Sequence, residues 1–228
     1  MEISELQVVD FALGAYIAGA FTNVSTTVGP QGIQEFMSRP VNKRIYRHDY
    51  EDPKSLISAI QAARKSETTQ SGKRVNLPAL PVVAYGRNPG FSSGEGGKVS
   101  KQRSLWNLEL DESLTFKILP VALEYRVLFA AWDRPSLDTL SLLWMARVTS
   151  VSKFPVVWKI GGTEFEAAAI IQDHINVMMT DVSPMKDESG RLTAVETTMA
   201  VSTQVVYGES ITLPEALTLQ GNLTGYIK

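Results

Sequence analysis

A chain of 228 residues, 44% apolar and 20% charged, has room for one large or two small soluble domains with a buried core. It contains no cysteine and two histidines, His48 and His174, which excludes disulfides and thiolate metal sites and leaves little basis for histidine-bound metal. The net charge of −2 hides a partition: four acids and no base in 1–38, thirteen bases and five acids in 39–103, nine bases and fifteen acids in 104–228. Such asymmetry suits a nucleic-acid face or head-to-tail contact between copies; the scattered bases and few interleaved aromatics favour the second.

In chain order, the first predicted element is a helix from about Glu5 to Val24, opened by an S-x-x-Q capping box of Ser4 and Gln7. Leu13, Tyr16, Ile17, Phe21 and Val24 share a face, while Gly14, Ala15, Ala18, Gly19 and Ala20 leave a smooth side for its own domain or for a neighbouring subunit. Its apolar stretch is about fourteen residues, too short to span a bilayer. No positive region precedes it, so neither a membrane segment nor a signal peptide is expected, and synthesis is expected to leave the protein in the cytoplasm.

TTVGPQGIQEFMSRP reads as loop plus a short turn, and VNKRIYRHD as a strand. EDPKSLISAIQAARKSE is a helix with Asp52 as N-cap, Pro53 in its first turn, and Leu56, Ile57 and Ile60 inward. Polar TTQSGKRVN ends it. LPALPVVAYGR is a short strand whose prolines argue for an edge position, and NPGFSSGEGGKVSKQRS a Gly/Ser-rich loop. SLWNLELDESLTF and ALEYRVLFAAW are strands, and RPSLDTLSLLWMARV is an amphipathic helix striped by Leu137, Leu140, Trp144 and Val148. Two or three more strands follow around Gly161-Gly162. After a turn at Asp187-Glu188-Ser189-Gly190, strict alternation from Val195 to Tyr207 predicts a long strand with an odd, buried face and an even face of Glu196, Thr198, Ala200, Ser202 and Gln204.

This order, without a repeated βαβ unit, predicts an α+β fold: a mixed or antiparallel sheet with a long C-terminal hairpin, packed by two or three helices. Residues 1–208 form one predicted domain with a helical N-terminal part to about residue 76, and 209–228 an extended arm.

No catalytic, cofactor-binding or metal-binding residues are predicted. Gly90-Phe91-Ser92-Ser93-Gly94 spells G-x-S-x-G, yet a nucleophile elbow needs a strand before it, a helix after it and a downstream Asp then His. Around Lys98, Ser92 and Val99 occupy positions where a phosphate loop needs Gly and a hydroxyl. The Asp111-Glu112 and Asp187-Glu188 pairs lie in predicted turns, where solvated charge is ordinary.

Three blocks in order resemble the tail terminator, or tail-completion and sheath-stabiliser, proteins of contractile-tailed bacteriophages. LPALPVVAYGRNPGF is similar to the family's apolar strand ending in Tyr, a small residue and a basic or polar loop. ILPVALEYRVLFAAWDRPSLDTLSLLWMARV resembles its Leu-Pro-entered strand, acidic N-cap and Leu-rich helix. HINVMMTDVSPMKDESGRLTAVETTMAVSTQVVYG resembles its closing strand pair, ending in an aromatic before Gly. Together they cover roughly residues 77–208. SVSKFPVVW shortens the family's link after the helix, and residues 1–76 are longer than the family's lead-in.

The resemblance implies a structural virion protein and not an enzyme. It implies a homo-hexameric ring in the viral tail, assembled in the host cytoplasm, capping the tail tube and sheath and meeting the neck. DNA would pass its lumen without sequence-specific binding, with no cofactor, metal or membrane involved. Another ring-forming tail protein of the baseplate or tube, a neck connector, and a serine hydrolase using Ser92 are the alternatives. The candidate interface residues are Arg87, Phe91, Lys98, Lys101 and Arg103 around the Gly-rich loop, Glu196 and Gln204 on the long strand, and Leu213 and Leu217 in the arm.

Overall fold

The computed structural model describes residues 5–22, 29–47, 54–59, 80–93, 103–107, 112–160, 163–183 and 192–211. The predicted capping residue Ser4, the cap at Asp52-Pro53, Ile60, the Gly161-Gly162 turn and the turn at 187–190 lie outside them.

Helix α1 (Glu5–Ala20) buries Val9, Leu13, Tyr16 and Ile17, and Phe21 just past its end. It stops earlier than expected: Phe21 N donates to Ala18 O and Thr22 Oγ1 to Gly19 O, tightening the last turn. Where loop plus a short turn was expected, α2 (Gln31–Ser38) makes two helical turns that bury Ile33 and Phe36. Neighbouring structure holds this short helix. A Cβ on Gly32 would stand 2.6 Å from Ser136 Oγ, so glycine lets α2 lie against the next long helix.

A 3₁₀ turn (Val41–Lys43) leads into β1 (Ile45–Arg47), and α3 (54–59) turns Leu56 and Ile57 inward as expected. Helix α4 (Arg134–Ser150) follows the sequence reading closely. Asp133 caps it, Oδ1 accepting from Ser136 N at 2.8 Å, and Leu137, Leu140, Trp144 and Val148 are all buried.

The remaining strands are β2 (Val82–Ser93), β3 (Arg103–Asn107), β4 (Glu112–Ala131), β5 (Lys153–Ile160), β6 (Thr163–Ile171), β7 (Thr180–Asp181) and β8 (Thr193–Ile211). They form a mixed sheet in the order β1-β2-β4-β8-β6-β5, with β3 on β4 and β7 on β8. Only the β1–β2 pairing is parallel among those described. The fold is α+β.

Two strand expectations change. Over Val83–Tyr85, β2 is flanked by β1 and β4 and is not an edge; Pro81 immediately precedes the strand. The first half of the supposed loop, Asn88–Ser93, stays in the strand. Register shifts between Arg87↔Tyr125 and Phe91↔Leu123, so Asn88-Pro89-Gly90 is absorbed as a bulge, where a missing N–H and a missing Cβ cost little. Strand β4 likewise runs through Pro120, at a point where its outer edge passes between the end of β2 at Val121 and the start of β3 at Phe116.

Odd-numbered residues of β4 and β8 face the helices. Val121, Leu123, Tyr125, Val127 and Phe129 join Val195, Met199, Val201 and Val205 under α1, α2 and α4 in one core. Trp144 lies at its centre, its ring 6.0 Å from both Tyr16 and Phe129. On the opposite face, Leu56 and Ile57 cover Val82, Ala84, Leu128, Ala130 and Ala194 at one end only. Residues 127–131 of β4 are therefore buried on both faces and read as a continuous apolar run.

Every residue of β8 from Thr193 to Ile211 pairs with β4, from Ala131 back to Ser113. The pair runs on past Val205 and Ile118, the last residues of that core among the described side chains. At a rise of about 3.3 Å per residue it is roughly 60 Å long.

Candidate functional site

The densest polar cluster is internal. Asp10, the one buried acid among the described residues, projects from α1 onto the sheet and is 1% exposed. Arg47 Nη2 of β1 donates to its Oδ2 at 2.6 Å, and the Tyr125 hydroxyl of β4 donates to its Oδ1 at 2.7 Å. Arg87 Nε of β2 stands 3.2 Å from Oδ1. Burial first, and then the negative charge and hydrogen bond of Asp10, push the Tyr125 phenol far above its ordinary range. Tyr85 is raised by burial as well, and Gly14 permits its hydroxyl to approach α1, where a Cβ would overlap it.

This arrangement fastens α1 across three strands through one carboxylate. Arg87, one of the candidate interface residues, turns its guanidinium toward Asp10. The sequence held a signal for this. Asp10 shares the helical stripe of Leu13 and Ile17, and an acid on an apolar stripe calls for a buried cationic or hydroxyl partner. Of the smooth side of α1, Gly14 lies against Tyr85 and Gly19 against Arg147, while Ala15 is exposed.

The even face of the sheet is different. Beyond the patch covered by Leu56 and Ile57, Thr198, Ala200 and Gln204 of β8 are exposed, as are Ala168 and Ile170 of β6. Arg126 and Glu196 lie on this face in a forked pair, Nε to Oε1 and Nη2 to Oε2, both 2.7 Å. Glu196 is only 14% exposed on its side chain, so it is held by Arg126 and offers little to a partner. Gln204 is free to make outside contacts by position, and Phe91 is 60% exposed. Phe91 lines a groove of about 460 Å³ beside the bulge, together with Asn88, Ser92, Ala122, Glu124 and Ala200.

Arg103 opens β3, paired with Phe116 at the root of the ribbon's outer part. Lys98, Lys101, Leu213 and Leu217 lie outside the described residues. The structure thus brings Phe91 next to the even face and leaves Arg87 and Glu196 committed within the chain.

Ser92 stands in β2 opposite Ala122, one residue before the strand ends at Ser93, and the residues directly after Ser93 lie outside the described ones. His174 belongs to the turn after β6 and lines a different, smaller cavity of about 110 Å³ with Trp144, Val148 and Thr197. Among the described residues, no group of acids and histidines is disposed to hold a metal ion, and no helix is long and apolar enough to cross a membrane.

Among the described residues, the geometry defines, as a class, an α+β protein with one sheet face clad by helices, an opposite face covered at one end and exposed beyond it, and a long strand pair. No protein-family model matches the chain, and no curated protein matches its sequence.

Proposed function

We propose that the protein is a ring-forming structural component of a contractile phage tail, a terminator that caps tube and sheath at the head-proximal end and meets the neck. The observation that carries this reading is the length of the β4–β8 pair, in which every residue of β8 from Thr193 to Ile211 is laddered to β4. Strands beyond the need of one core supply pairing surface between subunits. The bare even face and the alternation of acidic, basic and acidic segments along the chain support the same reading, since a heterologous contact joins unlike surfaces and closes into a ring. The three blocks that resemble the terminator family supply its place in the tail.

The test is the mass and shape of the purified chain, alone and mixed with tail tubes, by light scattering and electron microscopy. Rings seated at the tube's head-proximal end are expected. A monomer at micromolar concentration that forms no ring on tubes would sink the proposal, and labelling at the distal end would move the protein to the baseplate.

A further inference from the structure

Strand β8 is paired along its whole length with β4, yet its other edge is used only in part. That edge meets β7 at Val195 and Glu196 and β6 at Val201 and Ser202. From Thr203 to Ile211 no described strand forms a backbone ladder with it, and β6 reaches it only where the Thr203 hydroxyl donates to Ala168 O at 3.5 Å. Half of the backbone N–H and C=O groups of that stretch point away from β4 and are left without a ladder.

The two kinds of edge in this sheet are built differently. Strand β5, the last in the order, carries Lys153, Pro155 and Lys159, the residues that block pairing with further strands. The open stretch of β8, Thr203-Gln204-Val205-Val206-Tyr207-Gly208-Glu209-Ser210-Ile211, has no proline and no lysine, and is rich in β-formers. One edge is protected against a partner strand; the other is made to receive one.

We infer that the open edge of β8, residues 203–211, is a strand-acceptor site, and that its occupant is residues 212–228 of a second copy of this chain. The inference rests on the ring reading. Where the donor segment begins argues for the second copy. It leaves β8 at Ile211, the end of the β4–β8 pair opposite to Thr193, where the paired strands stop. It is long enough: residues 212–228 reach roughly 55 Å when extended, against roughly 30 Å of open edge. Its chemistry also suits a strand seeking cover, with Leu217-Thr218-Leu219-Gln220 alternating and only Glu215 and Lys228 charged.

The chain has no native cysteine, so pairing can be read by disulfide trapping. One copy carries Gln204→Cys on the exposed face of β8; a second, tagged copy carries a single cysteine from the series Leu217→Cys, Thr218→Cys, Leu219→Cys and Gln220→Cys, which samples both faces and several registers. The copies are mixed, assembled and oxidised, and ring formation is scored separately by electron microscopy. A tagged-plus-untagged band at about twice the 25.0 kDa chain mass, at alternate positions of the series, is the expected result. Rings without that band at any position overturn the inference and leave the ring reading standing. A disulfide that forms only when both cysteines are in one chain shows the edge filled by its own segment and also overturns it. The mixed band without rings supports the acceptor edge and removes the ring.

Discussion

Replacing Asp10 by alanine tests whether α1 is held to the sheet by the carboxylate described above. The side chain is 1% exposed and meets Arg47, Arg87 and the Tyr125 hydroxyl. Removing one partner of a buried ion pair costs roughly 3–5 kcal/mol, because the partners left behind stay desolvated. Arg47 is 38% exposed on its side chain and regains water, which lowers its share. Arg87 at 21% and the buried Tyr125 hydroxyl recover less, so a loss of about 3 kcal/mol is expected. In a chain of this size that lowers Tm by roughly 6–12 °C. Asp10→Asn keeps an acceptor for Tyr125 and should fall between wild type and Asp10→Ala. Asp138→Ala removes the same charge from an exposed pair with Arg134, 53% and 62% exposed, and should change stability by no more than about 0.5 kcal/mol. Urea denaturation of the four proteins decides the matter. An Asp10→Ala midpoint equal to that of Asp138→Ala refutes the reasoning.

Three further outcomes are expected. Trp144→Ala, at the centre of the helix–sheet core, should cost about 3–5 kcal/mol in the same denaturation assay, and loss of less than 1 kcal/mol would show that the site collapses around the gap. Asp133→Ala should lose about 1 kcal/mol by removing the cap of α4, with Asp133→Ser restoring most of it. Burial lifts the Tyr16 phenol from 10.0 to about 12 against the opposing pull of Arg147; the unfolded phenol ionises first, so stability should hold below pH 10 and fall as pH rises towards 12. Tyr16→Phe should flatten that fall measurably, although Tyr85 and Tyr125, also raised, retain part of it.

What could be read from the residues depended on whether local chemistry decided the structure. Helix α4 was legible because a cap, an early proline and a four-residue stripe all agree. The buried face of β8 was legible from its alternation; its extent was not, because pairing to Ile211 runs beyond the clear pattern into Gly208-Glu209-Ser210. Helix α2 was missed because Gly32 lowers its propensity and the helix depends on packing against α4. The continuation of β2 was missed because Pro89-Gly90 punctuates like a turn, while β4 alongside makes it a bulge. The same limit applied to the site. Arg87 beside a Gly-rich stretch looks like a surface charge, and only the crossing of α1 over β2 discloses its carboxylate.

The β4–β8 pair also sets an order of events in folding. Its inner end joins Ala131 to Thr193 and its outer end joins Ser113 to Ile211, so every rung encloses α4, β5, β6 and β7. Closing the first rung bears most of the loop entropy; each rung after it lengthens the loop only slightly and adds little to that cost. The pair therefore zips from the Ala131 end outward, once α4 and the β5–β6 hairpin have shortened the intervening chain. Its tip is the last part to form and the first to fray, with amide exchange rising towards Ile211.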